Sequence, residues 1–319
     1  MKIKSLWCVA FVAVVLLSFP FAASAELRGS FDRTFQVSGP VDLSVKSGSG
    51  SITVRTGSDG TLQVIGKIYS SKARAEENVR YLEDNPPIEQ NGNTVRVGEI
   101  DRDRSRDISI SYELVVPVAT QLVSKTGSGS QTIGDIHGPV EVSSGSGSLK
   151  VGSIGGRVEA SAGSGSIEVR AANGGVRAKT GSGSIKAYGV EGPFTSSSGS
   201  GSVELEQVGP GDVEVNTGSG SIEVNGVRGA LSADTGSGGI RAEGSMEGEW
   251  DLHSSSGTVV VSLPSDAGFQ LDAKSSSGSI ESDHPVTVHG LTKKHLQGEV
   301  RGGGAVLKIR TSSGSIRIK

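Results

Sequence analysis

Acids, histidines and repeated glycine–serine pairs are the residues of this chain that could do chemistry. Asp135, Asp212 and Asp234 stand in or beside turns. Two such carboxylates set about 5–9.5 Å apart in a cleft could cleave a glycosidic bond. No non-repeating cluster of Asp, Arg and Lys surrounds them, and the Glu residues recur at outward strand positions as a solvated face does. His284, His289 and His295 share one stretch with Lys293 and Lys294, and Asp283 and Glu299 lie close by. Their spacings of five and six are no zinc-ligand pattern, so a surface loop is expected there. A Gly-Ser-Gly-Ser loop could cradle a phosphate if a helix followed it, but β-branched strand residues follow instead. Serine is everywhere, and no strained elbow marks one as a nucleophile. The sequence therefore assigns no catalytic, cofactor-binding or metal-ligating residue.

The tetrads matter as a repeat. They start at Gly127, Gly145, Gly163, Gly181 and Gly199, each 18 residues after the last, and recur at Gly218 and, as Gly-Ser-Gly-Gly, at Gly236. Weaker copies follow at Ser256-Gly257-Thr258, Ser277-Gly278-Ser279 and Ser313-Gly314-Ser315, and an outlying copy starts at Gly48. Around each corner stand two triplets with the period-2 alternation of half-buried strands, as in Val140-Glu141-Val142 and Leu149-Lys150-Val151. Two short strands and two turns per 18 residues make one solenoid rung.

Stacked at about 4.8 Å, the rungs align equal positions into columns. One inward column reads Leu149, Ile167, Ile185, Val203, Ile222, Ile240, Val259, Ile280; the other reads Val140, Val158, Val176, Phe194, Val213, Leu231, Trp250, Phe269. A single rung could not bury its apolar face, and its neighbours bury it. The outward column Lys150, Glu168, Lys186, Glu204, Glu223, Arg241 alternates in sign with one exception, which favours this register. The corner glycines serve either a positive φ or a very close backbone approach, and serine hydroxyls can bond backbone groups at such turns. An ordinary ring-built core is excluded, because aromatics are only 4% of the chain while glycines number 48. The 34% of hydrophobic residues is too many for a disordered linker.

The two ends depart from the register. Lys2 and Lys4, the apolar run Leu6 to Phe19 and Ala23-Ser24-Ala25 read as a signal peptide over 1–25, cleaved after Ala25. The only cysteine, Cys8, lies within it, so the mature protein would have no disulfide and no thiolate chemistry. The formal charge of −3 points neither to nucleic acid nor to an anionic membrane, and no later segment is apolar enough to span one. Residues 26–118 read as an N-terminal cap with a first rung at Gly39 to Arg55. Strands are expected at Thr61–Tyr69, Thr94–Val97 and Ile108–Val116. A short helix is expected over Ser71 to Glu83, with Ala75, Val79 and Leu82 on one face. The run Asp101 to Asp107 reads as a solvated hairpin tip. Residues 119–319 read as the repeats, closed by strands Val306–Arg310 and Ser315–Ile318.

The Thr-Gly-Ser-Gly-Ser-Ile coils, preceded by Tyr112-Glu113-Leu114-Val115-Val116-Pro117, resemble a widespread bacterial putative-adhesin family of unknown function over roughly residues 37–319. Members often carry Asp where this chain has Ser130, Ser148, Ser166 and Ser184, a departure that speaks against calcium-binding acidic ladders; the Gly-Gly-x-Gly-x-Asp corners of calcium-folding solenoids are also missing. The resemblance implies a surface location and supplies no catalytic residue. The expectation is an all-β parallel β-solenoid (β-helix-like) of about ten rungs with about 18 residues per rung and a cap containing one short helix. Its expected role is that of an exported, non-catalytic binding or structural module in the periplasm, on the cell surface or outside the cell. Expected partners are glycans or envelope proteins. The alternatives are a β-helix polysaccharide-acting enzyme and an envelope scaffold or sensor binding a protein partner.

Overall fold

The computed structural model describes residues 26–72 and 75–319; the expected signal peptide and Cys8 lie outside them. The repeats fold as read. Each rung lays one strand in each of two long facing sheets, of 14 and 15 strands, with the apolar columns between them. Val140–Ser144 pairs in parallel with Val158–Ala162, and Leu149–Ile154 with Ile167–Ala172, at equal positions of successive rungs. Ile185, Phe194, Ile240 and Trp250 are fully enclosed.

The corners show why the motif is Gly-Ser-Gly-Ser. Except at Gly163, which Ala162 precedes, and at Gly48, where Ser47 is only half-buried, the residue before each tetrad is a buried Ser or Thr. Its hydroxyl accepts the N–H of the tetrad's second glycine and donates to the carbonyl of the same glycine one rung back. Ser144 Oγ does so to Gly147 N at 2.8 Å and Gly129 O at 2.9 Å, and Thr180 Oγ1 to Gly183 N at 3.2 Å and Gly165 O at 2.8 Å. The same pair of bonds recurs at Ser198, Thr217, Thr235, Ser254, Thr311 and Ser275. The glycines are required by close approach rather than by a positive φ: a Cβ on Gly183 would lie 2.1 Å from the Gly165 carbonyl oxygen.

Neither end follows chain order. Counting out the antiparallel edge strands leaves twelve parallel strands in each sheet, so there are twelve rungs rather than about ten. Spaced at about 4.8 Å, they span about 55 Å. The two extra come from chain returns. The strands Val41–Ser47 and Ile52–Thr56 slot between the rung formed by Thr94–Val97 and Ser109–Val116 and the rung that starts at Thr120–Thr126. The tetrad at Gly48, outlying in sequence, therefore lies directly beside Gly127. At the other end Ala305–Thr311 and Ile316–Ile318 insert between the rung of Trp250–Ser254 and that of Phe269–Ser275. The columns accordingly run Val259, Ile316, Ile280 and Trp250, Leu307, Leu271, with Phe269 one pair further along.

The caps differ from expectation in detail. The strand Glu26–Gln36 was not legible, because Leu27, Phe31 and Phe35 recur every four residues as in a helix. It pairs antiparallel with Thr61–Ser70 and carries the edge of the longer cap. The helix spans Glu76–Asp84 and buries Val79 and Leu82, with Ala75 buried at its start. Gly29 permits that packing, since a Cβ there would meet Val79 Cγ1 at 2.7 Å. The charged run is no hairpin tip. Arg102–Ser105 makes one helical turn that docks on the longer helix, with the Arg104 guanidinium 3.7 Å from the Tyr81 ring centroid.

Candidate functional surface

The three candidate acids are committed to holding rungs together. Asp135 Oδ1 accepts Ser153 N–H from the next rung at 2.8 Å and pairs with Arg170 one rung beyond. Asp212 Oδ1 accepts Ala230 N–H at 3.0 Å, and Asp234 lies 2.6 Å from His253 Nδ1 on the adjacent strand. Each is bonded to a neighbouring rung, and Asp135 also lines a groove with Glu168, as Asp212 lines one with Glu214, Glu249 and Asp251. The sign-alternating column has the register expected of it: Lys150 stands beside Glu168, Lys186 beside Glu204, and Glu204 beside Glu223. Lys186 Nζ closes on Glu204 at 2.8 Å and holds that carboxyl below its usual range, and the bond raises the lysine in turn. The Tyr188 phenol, raised chiefly by burial, donates to Glu204 at 3.2 Å.

His289 and His295 sit on strands rather than on a loop, and only His284 lies in a bend. Val286–Thr292 and His295–Val300 form a hairpin that pairs antiparallel with the terminal strand Phe269–Ser275. His284, before the hairpin, is buried edge-on against Phe269 and reaches the Lys319 carbonyl at 3.1 Å. His295 Nε2 meets Asp272 at 2.7 Å, and His289 lies 3.8 Å from Glu299. The three side chains therefore have separate partners. Among the described residues, no group of three His, Cys, Asp or Glu side chains is placed to hold a metal ion.

A groove of about 750 Å³ lies on the face of the 15-stranded sheet. Asp42, Lys46, Arg96, Gln121, Glu141, Arg157 and Glu159 line it. Lys46 binds Glu99 at 2.6 Å and depresses its carboxyl, Lys125 binds Glu141 at 2.9 Å, and Arg157 binds Glu159 at 2.8 Å. Glu141 and Glu159 are direct cross-strand neighbours, so these cations offset a like-charge contact. The groove thus carries charges of both signs over a lining that includes Leu122, Val123, Pro139 and Val140, and it is built on strands. Sequence reading missed it because Asp42 and Arg96 reach Gln121 and Glu141 only through the interleaved rungs. A second groove of about 440 Å³ on the opposite sheet holds Arg55, Thr132, Lys150, Glu168 and Arg170.

Along the corner edge, exposed serines run in register, and Ser148 N–H and Ser184 N–H donate to Ser130 Oγ and Ser166 Oγ at 3.3 Å. That ridge and the two sheet faces are the repeating outer surfaces of the molecule. No helix among the described residues is long and apolar enough to cross a membrane.

The family described as Toastrack DUF4097 matches residues 42–319. No curated protein matches the chain. Among solved structures, a putative cell adhesion protein from Clostridium sporogenes is similar at 10% identity, with 91% of this chain and 99% of that one covered and a TM-score of 0.19. A putative adhesin from Bacteroides fragilis is similar at 12% identity, with coverage of 92% and 98% and a TM-score of 0.29. Another from Parabacteroides distasonis has 9% identity, coverage of 91% and 97%, and a TM-score of 0.28.

Proposed function

The chain belongs to the Toastrack DUF4097 family, and from that premise we propose that it is an exported, non-catalytic module of the cell envelope or surface that holds an extended polar ligand, a glycan first, along its repeating outer faces. The observation that carries this reading is the use of the outward acids as rung-to-rung ties, which leaves a rigid polar array with a groove. Such an array suits weak contacts repeated at each rung, which add up when the geometry lets them engage together. The groove beside Gln121 and Arg157 is the place where a polymer would be gripped rather than merely touched. The basic leader and small-residue cleavage pattern of residues 1–25 support export.

The test uses the purified chain with a panel of soluble and insoluble glycans that includes peptidoglycan, reading co-sedimentation and polymer length from the same tubes. Binding with unchanged polymer length, weakened about tenfold by Arg157→Glu, is expected, since reversing one charge costs on the order of 1.4 kcal/mol when it faces a ligand group. Shortened polymer would make the protein an enzyme. Absence of both effects would move the ligand to a protein of the envelope.

A further inference from the structure

The two ends of the solenoid are built alike but finished differently. At the N-terminal end the 14-stranded sheet runs two antiparallel strands past the last rung, Thr61–Ser70 and Glu26–Gln36. The inner face of that overhang, with Phe31, Leu62 and Ile68, is covered by the helix Glu76–Asp84 through Val79 and Leu82. At the C-terminal end the 15-stranded sheet likewise runs two strands past the last rung, the hairpin of Val286–Thr292 and His295–Val300. The opposite sheet stops at Ile280–Ser282. No helix among the described residues covers this second overhang.

Its inner face is apolar. Through the pairing register, Val286, Val288, Leu291 and Leu296 lie on the side that Phe269, Leu271 and Ala273 turn to the core. Val288 is 47% and Leu291 69% exposed, and Val286, Leu296 and Ile280 are only partly covered. The charged residues of the hairpin, Lys293, Lys294, His295 and Glu299, stand at its tip or on the other face.

We infer that this shelf is the contact surface for a second copy of the chain, joined end to end about a two-fold axis. The argument is one of complementary shape. One sheet is two strands too long at this end and its partner sheet ends with the rung. A two-fold operation brings the second copy's hairpin over the place where the shorter sheet stops, and each shelf then covers the other. An isologous contact sets one patch against a copy of itself, which an apolar patch satisfies without any need for paired charges. A single strand-adding peptide fits less well, because the free edge carries a bulge between Val288 and Gly290 that breaks the ladder a peptide would extend.

Sedimentation equilibrium of the purified chain over a concentration series tests this. The mass should rise from the 32.5 kDa of one chain toward twice that value. Leu291→Lys with Val288→Lys should weaken self-association at least about tenfold by burying like charges at the two-fold, with an unchanged melting curve because both sites are exposed. Gln297→Lys, on the opposite face of the same hairpin, should leave association intact. A monomer up to about 200 µM, where even a weak dimer with Kd near that concentration would register, overturns the inference. So does a dimer that survives both lysines. Sedimentation of a monomer with anionic phospholipid vesicles, abolished by the same lysines, would give the shelf to a membrane instead and overturn it equally.

Discussion

Thr180 and Ala162 occupy the same place in successive rungs, yet only one of them has a hydroxyl. Thr180 joins two glycine backbones of adjacent rungs with one oxygen, and burial makes that oxygen matter, since an unmet polar group inside costs about 1–3 kcal/mol. Thr180→Val should therefore lower the unfolding free energy by roughly that amount, because it leaves the Gly165 carbonyl and the Gly183 N–H short of a partner. Ala162→Ser should raise it by about 1 kcal/mol by completing the hydroxyl column. Urea titrations read both. The pair is informative because opposite signs are required; a loss from Ala162→Ser would mean that the column has no room at that rung.

A rung is held by its neighbours more than by itself, and this sets the cost of damage at the level of the element. Ile185 is enclosed between Ile167 and Val203. Ile185→Asp would place an unpaired carboxylate among aliphatic side chains, and a loss of about 3–5 kcal/mol is expected. A wild-type melting curve would refute the register. The corner serines and glycines announced this element plainly, for their spacing follows from the stacking: a Cβ at the second glycine collides with the previous rung wherever the rungs are in step. The cap elements were less legible. Val79 and Leu82 marked the helix, but Glu26–Gln36 shows every-fourth apolar spacing and a bulge between Leu27 and Gly29, so its strand character came from the neighbour it pairs with. The run Asp101–Asp107 looked like a solvated tip because its charge hid the contacts that seat it, among them Arg104 on the Tyr81 ring and on Asn78 Oδ1.

At the scale of the molecule, the order of rungs in space is not their order in the chain. The segment Ala305–Thr311 with Ile316–Ile318 is an interior rung, and the segment before it in the chain forms the end. Truncation after residue 304 should therefore do more than shorten the solenoid. It would remove Leu307 and Ile309 from between the rungs of Trp250 and Leu271 and leave the terminal hairpin without its support. Limited proteolysis should then find rapid cleavage throughout residues 262–304 and protection of the rungs before Trp250. Protection of the terminal hairpin in the truncated chain would show that the end rung can close directly on the Trp250 rung.

The sequence by itself determined the all-β class, the rung, its period, the inward columns as far as Trp250 and Val259, and the outward charge column. These follow from local alternation and from a glycine requirement that repeats with every turn of the chain, so each rung carries its own instructions. Tertiary structure alone decided which rung lies beside which at the two ends, where the groove of Asp42, Gln121 and Arg157 forms, and that the hairpin shelf exposes Val288 and Leu291. The physical reason is that interchangeable strands of equal length and pattern can stack in more than one order. Local pattern specifies how a rung is made, whereas loop reach and the fit of the caps decide its place.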